Sequence, residues 1–272
     1  MDSMADVRTA ARRSADGPFM AGAARFGLGS RAVVYLVIAW LALQIASGHH
    51  NHQANQRGAM ADIVHHTFGS VIVAVLGIGL AAYGLWRLSQ AAFGVAGEGT
   101  KAGPRLQSLA RGVIYLGLSV STFTFLAGAS TQGQAEQQST LTARLMRHTS
   151  GRWLVGAAGL VVIVVGLAMI RDGLRRKFED QLRMNELNAR TRTAVVTLGV
   201  VGTAARGIVF AVAGGMVLDA AWTFDPGKSA GLDGALRTLA DRSFGALLLG
   251  TLSLGLAAFG LFGLASARWA KT

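Results

Sequence analysis

Three arginines are the residues of this chain best suited to chemistry: Arg31, Arg111 and Arg206. Each opens an apolar run, and each is followed four residues later by an aromatic ring, Tyr35, Tyr115 and Phe210. A guanidinium stays charged under all ordinary conditions and presents a planar fork of N–H donors that fits two oxygens of a phosphate. A cation a turn inside a membrane span is costly, so it is paired, turned inward or snorkelled to the headgroups. Two arrangements satisfy that requirement. Either the three converge and bind an anion or a lipid phosphate, or each snorkels separately against its own aromatic neighbour near the shallow end of its span.

Histidine offers a second set of candidates. His49, His50 and His52 stand in the connector GHHNHQANQRG, with Asp62, His65 and His66 close behind, donors that suit zinc, copper or nickel. The other two connectors have no counterpart, so the repeat needs no metal and a solvated loop accounts for the tract. His66 and His148 share one repeat position, where haem ligation or proton relay would use them. Arg242 takes the third place and cannot ligate, which favours histidines satisfied at an interface. No cofactor is expected. Walker, HExxH and Gly-x-Ser-x-Gly motifs are absent, and Asp219 is the only acid bordering the core of a span, so no enzyme is expected.

The elements that must hold these residues are membrane spans. Half of the 272 residues are hydrophobic and 15% are charged, outside the soluble range of roughly 25% charged. The net charge of +12 is distributed by loop instead of being gathered in one patch, which argues against a nucleic-acid partner. There is no cysteine, which excludes disulfides and thiolate metal sites. Six runs are long enough to cross about 30 Å of hydrocarbon: about 26–46, 68–88, 109–127, 153–170, 195–218 and 244–265. No cleavable signal is evident ahead of the first, which would itself direct insertion. Trp86-Arg87 closes the second span at headgroup level.

Short amphipathic stripes interrupt the polar connectors: Met60, Ile63 and Val64; Leu141, Leu145 and Met146; Leu232, Leu236 and Leu239. Between spans four and five, Leu174, Phe178 and Leu182 recur every four residues in the most charged segment of the chain. This spacing predicts a helix leaving the membrane with an apolar stripe toward lipid or a partner.

The pattern occurs three times. Gly69, Gly151 and Gly245 follow the opening arginines by 38, 40 and 39 residues, and Gly84, Gly166 and Gly260 come fifteen later. Seven before these the residue is small each time: Gly77, Gly159 and Ser253. The fold class is therefore all-α, a polytopic membrane protein whose six transmembrane helices form three tandem two-helix repeats with pseudo-threefold symmetry. Small residues seven apart share a face and should make the helix contacts. The division is a disordered basic tail over 1–24, membrane repeats over 25–93, 105–171 and 195–268, and a charged amphipathic linker over 172–192. The tail, the loops after spans two and four and the C-terminus hold 19 of the 26 Lys and Arg, which sets both termini in the cytoplasm.

Arg-Gly-Val-Ile-Tyr at 111–115, Arg-Gly-Ile-Val-Phe at 206–210 and the run Gly-Leu-Asp-Gly-Ala-Leu-Arg-Thr-Leu-Ala-Asp-Arg-Ser-Phe-Gly at 231–245 carry a resemblance. Over about 25–268 the chain resembles the bacterial membrane family catalogued as domain of unknown function 1206. The family's second spans often begin Pro-Phe-Gly, where this chain has Thr67-Phe68-Gly69, Thr149-Ser150-Gly151 and Ser243-Phe244-Gly245. The resemblance implies three two-span repeats in a bacterial cytoplasmic membrane and carries no activity.

Two functions fit these residues. One is a non-enzymatic accessory, scaffold or lipid-interacting protein whose partners are membrane lipids or another membrane protein. The other is a small transporter or channel for an anion or other small solute along the pseudo-threefold axis. The scarcity of ionisable groups in the middles of the spans favours the first.

Overall fold

A computed structural model describes residues 18–48, 54–64, 66–94, 101–128, 134–146, 149–229, 231–240 and 244–271. Among them the chain forms nine α-helices: α1 (Pro18–Ala46), α2 (Gln56–Val64), α3 (Gly69–Phe93), α4 (Ala102–Leu126), α5 (Gln134–Met146), α6 (Thr149–Leu174), α7 (Ala189–Thr223), α8 (Gly231–Ala240) and α9 (Gly245–Trp269). The long helices α1, α3, α4, α6, α7 and α9 are long and apolar enough to cross a membrane. The short ones, α2, α5 and α8, are the three connector stripes. They gather at one end of the bundle, here the connector end, and both described chain ends lie at the other.

The tightest span-to-span contacts do not join the two spans of one repeat. They join the second span of each repeat to the first span of another: α3 to α4, α6 to α7, and α9 to α1. Taken in cycle, these three pairings are related by the threefold pattern of the sequence, and the repeated glycines make them. A Cβ on Gly84 would stand 3.1 Å from the Gly112 carbonyl oxygen, one on Gly166 2.6 Å from that of Gly207, and one on Gly260 3.1 Å from that of Ala32. Ala32, Gly112 and Gly207 each follow an opening arginine. Seven residues earlier the contact recurs, where Ser119 Oγ donates to the Gly77 carbonyl at 2.9 Å and Gly159 faces the Gly214 carbonyl. In lipid, close backbone approach through small residues replaces the hydrophobic drive that water would supply.

Within the repeats the pattern breaks. In repeat 1, α1 packs on α3, and in repeat 3, α7 packs on α9, while α4 and α6 of repeat 2 are not packed together. The six spans therefore form a ring in the order α4, α3, α1, α9, α7, α6, closed at five seams and open at the sixth. Side-chain size at two positions accounts for the difference. The repeat 1 seam brings Gly27 against Gly79 and Tyr83, with Gly79 against Ser30. The repeat 3 seam brings Gly202 against the backbone of Phe259, with Gly255 against Ala205. The corresponding residues in repeat 2 are Gln107 and Val161, both exposed. Close approach there would drive a branched side chain into the facing helix.

The connector end is tied across repeats. The buried carboxylate of Asp233 on α8 accepts from Ala54 N at 2.7 Å and from Arg237 Nε at 2.9 Å. Gln56 Nε2 on α2 donates to Thr122 Oγ1 and the Leu118 carbonyl of α4, at 3.2 and 3.3 Å. Ser229 Oγ donates to Thr142 Oγ1 on α5 at 3.0 Å. Gly69, Gly151 and Gly245 serve one local purpose, since a Cβ on any of them would collide with a carbonyl of the preceding connector helix, that of Ile63, Leu145 or Ala240.

Two expectations are corrected. The predicted disordered tail over 1–24 gives way at Pro18, because 18–24 already belong to α1 and Ala24 is fully buried; residues 1–17 lie outside the described residues. The 171–192 segment is not a continuous helix with an outward stripe. The chain leaves α6 after Leu174, turns at Arg176 with φ 55°, and continues as short 3-10 turns over Lys177–Gln181 and Met184–Glu186. Phe178 packs edge-on against Phe262, with centroids 4.9 Å apart, and Leu182 is buried against Ala270. The four-residue spacing marks burial against α9, and only Leu174 faces outward.

Candidate functional site: an arginine core

Each opening arginine sits one residue before the point of closest backbone approach, at Ala32, Gly112 or Gly207. A step of one residue turns about 100° around a helix, so a seam fixed by the small residue directs the preceding side chain to one side of it. The structure brings the three arginines into one cluster, lined by aromatic rings. Arg31 Nη1 donates to the Tyr83 hydroxyl at 3.2 Å, and its guanidinium lies 5.3 Å from the ring centres of both Tyr83 and Phe259. Arg206 lies 5.3 Å from Tyr35, 5.0 Å from Phe210 and 5.0 Å from Phe259. Phe259 thus touches both cations and stacks edge-on with Tyr35 at 4.8 Å. Arg111 is within electrostatic reach of Arg31, Arg206 and Tyr83.

A fourth arginine, missed in the sequence, completes the group. Arg87 on α3 is buried, donates from Nε to the Tyr83 hydroxyl at 2.9 Å and from Nη1 to Gln90 Oε1 at 2.8 Å, and lies 4.5 Å from the Trp86 ring. The sequence reading placed Trp86-Arg87 at headgroup level, but α3 runs on to Phe93 and both residues are buried. The available signal was Tyr83-x-x-x-Arg87, the arginine-to-aromatic spacing in reverse, as befits a helix running the opposite way.

Depth is the second correction. Arg206 is the central residue of Ala189–Thr223, and Arg31 and Arg111 stand within three residues of the middle of Ala21–Ala46 and Ala102–Leu126, roughly 5 Å at 1.5 Å per residue. Tyr83 and Phe259, which receive Arg31, lie within two residues of the middles of their own helices, so separate helices agree on the level. Arg31 and Arg206 there lie over rings of other helices, Tyr83, Phe259 and Tyr35.

The electrostatics of the core are one-sided. None of the four arginines is in an ion pair among the described residues, and Arg111 makes no hydrogen bond there. The Nε atoms of Arg31 and Arg206 are buried without a hydrogen-bond partner. The neighbours include all three tyrosines of the chain, Tyr35, Tyr83 and Tyr115. Ring faces offset part of the charge, about 0.5–2 kcal/mol per cation–π contact. They do not supply the acceptor oxygens that a buried guanidinium needs.

The histidine candidates stand apart. His66 is exposed at the connector end, while His49, His50, His52, His65 and His148, with Arg242, lie outside the described residues. Among the described residues no group of three or more His, Cys, Asp or Glu is placed to hold a metal ion. Asp219 pairs with Lys228 at 2.8 Å on the surface.

Comparison with known proteins agrees with the architecture. The family model described as Domain of Unknown Function (DUF1206) matches three times, over residues 26–94, 106–176 and 201–270. The chain is 27% identical over 248 residues to the uncharacterised protein YxxB of Bacillus subtilis (strain 168), covering 90% of this chain and 89% of that one. No solved structure matches the chain.

Proposed function

For a chain that belongs to the family described as Domain of Unknown Function 1206, we propose a non-enzymatic membrane protein that binds a phosphate-type anion inside its bundle. It is a lipid-interacting accessory protein of the bacterial cytoplasmic membrane, with both termini in the cytoplasm. One observation carries this reading: Arg31, Arg111 and Arg206 meet near the middles of three spans, joined by Arg87 from a fourth, and none of the four pairs with a carboxylate among the described residues. Like charges taken out of water repel strongly and need a counter-charge. A tetrahedral oxyanion held by two or more guanidinium forks meets that need. Arg31, Arg111 and Arg206 are the binding residues, with Arg87 holding Tyr83 in place.

The distribution of Lys and Arg supports the orientation, and lipids are the proposed partners. Transport of an anion along the ring axis is the second reading, favoured by the mid-helix depth of the arginines. The cross-repeat hydrogen bonds at the connector end weigh against it.

Native mass spectrometry of the protein extracted in mild detergent from its own membranes tests the proposal. The wild type should retain a phosphate-bearing molecule at one per chain, and Arg31→Ala/Arg111→Ala/Arg206→Ala should lose it. Identical spectra for the two would overturn the reading.

A further inference from the structure

We infer that the anion held by the arginine core is the headgroup phosphate of a lipid, which enters sideways from the bilayer through the open seam between α4 and α6. The inference rests on the proposed anion site and adds the class of ligand and its route. Five seams of the ring are closed by packed helices, and the sixth is not. The two helices flanking the opening are also the least covered, with 22% and 17% of their apolar windows buried against at least half in α1, α3 and α9. Ile114 on α4 and Val161 and Val164 on α6 are exposed apolar residues on the two helices that flank the open seam, a surface suited to hydrocarbon. Such a route admits an anion that carries acyl chains. A fully hydrated ion would have to leave its water in the bilayer to use it.

Arg111 is the residue that links opening and core. It stands on α4, one wall of the gap, has no hydrogen bond or ion pair among the described residues, and reaches the charges of Arg31, Arg87 and Arg206. A headgroup arriving from the bilayer meets Arg111 first and Arg31 and Arg206 behind it. Its chains then lie along the exposed apolar surfaces of α4 and α6, which in repeats 1 and 3 are consumed by helix packing. The opening is written into the sequence, because Gln107 and Val161 stand where the closed seams carry Gly27 with Gly79 and Gly202 with Gly255.

The experiment compares three proteins with two probes: wild type, Ile114→Trp and the triple arginine variant, each titrated in detergent with dioleoyl phosphatidic acid and with inorganic phosphate. Ile114 is exposed, so the larger ring fits without repacking and narrows the gap where a chain would run. The expected result is that wild type binds the lipid, that Ile114→Trp weakens lipid binding at least tenfold while leaving phosphate binding unchanged, and that the triple variant binds neither probe. If Ile114→Trp holds the lipid as tightly as wild type, or wild type binds phosphate and not the lipid, sideways entry is overturned and the anion site stands. If wild type binds neither probe, the anion site itself fails.

Discussion

Repeats 1 and 3 hold their two spans together, while repeat 2 holds its spans apart, although all three share the same arginine, the same contact glycines and the same connector helix. The contrast shows that the symmetric positions build the ring and the asymmetric ones give it a way in. The contacts between repeats use residues that recur three times, so they recur in space. The contacts within repeats use a glycine four before the arginine and another ten after Gly69 or Gly245, and repeat 2 lacks both.

Engineered disulfides should divide the seams most sharply, since the chain has no cysteine of its own. Ala205→Cys/Gly255→Cys sets two thiols against each other across the repeat 3 seam and should oxidise once the helices separate slightly to the Cβ spacing of about 3.5–4.5 Å that a disulfide needs. Ala110→Cys/Val161→Cys, the same positions in repeat 2, should stay reduced on a gel-shift assay; efficient bridging there would mean the ring is closed.

Gly255→Val comes next, because its side chain meets Ala205 across a packed seam. It should destabilise the protein by about 1–3 kcal/mol, read as a lowered midpoint of thermal unfolding in detergent. An unchanged midpoint would show that the repeat 3 seam yields as easily as the open one.

Arg111→Met should work in the opposite direction. Replacing one of several half-buried cations that lack a carboxylate partner by an apolar side chain of similar length is expected to raise the stability of the unliganded protein by about 1 kcal/mol. A clear loss would mean that the cluster is satisfied internally. The smallest effect belongs to Val161→Leu, which faces outward and should change stability by less than about 0.5 kcal/mol. A larger change would place Val161 in a packed contact.

The ring contacts were legible because residues seven and fifteen apart repeat in all three units, and helix packing in lipid selects for small residues at such intervals. The open seam was not, because a search for agreement passes over Gly27 and Gly202 once Gln107 breaks the column. Convergence of Arg31, Arg111 and Arg206 was visible as one of two arrangements. The position of each arginine along its helix was less legible, because hydropathy placed the start of α1 too late: apolar character begins at Phe26 but the helix begins at Pro18. Arg87 was hidden by its company, since Trp-Arg at the end of an apolar run reads as an interface anchor whether or not the helix continues. The 171–192 stripe carried true information about burial and misleading information about helix, because a four-residue spacing also suits a chain turning back onto α9.

The pairing of α1 with α9 bears on how the protein is made. Synthesis delivers α1 first and its closest-packed partner last, so Arg31 enters the bilayer long before Phe259 exists to cover it. Until α9 leaves the ribosome, the first helix holds a mid-span cation and an empty contact face at Ala32 and Leu36. A chain halted before α9 therefore leaves Arg31 with Tyr83 but without Phe259, and leaves the face of the first helix that Gly260 would cover unpacked.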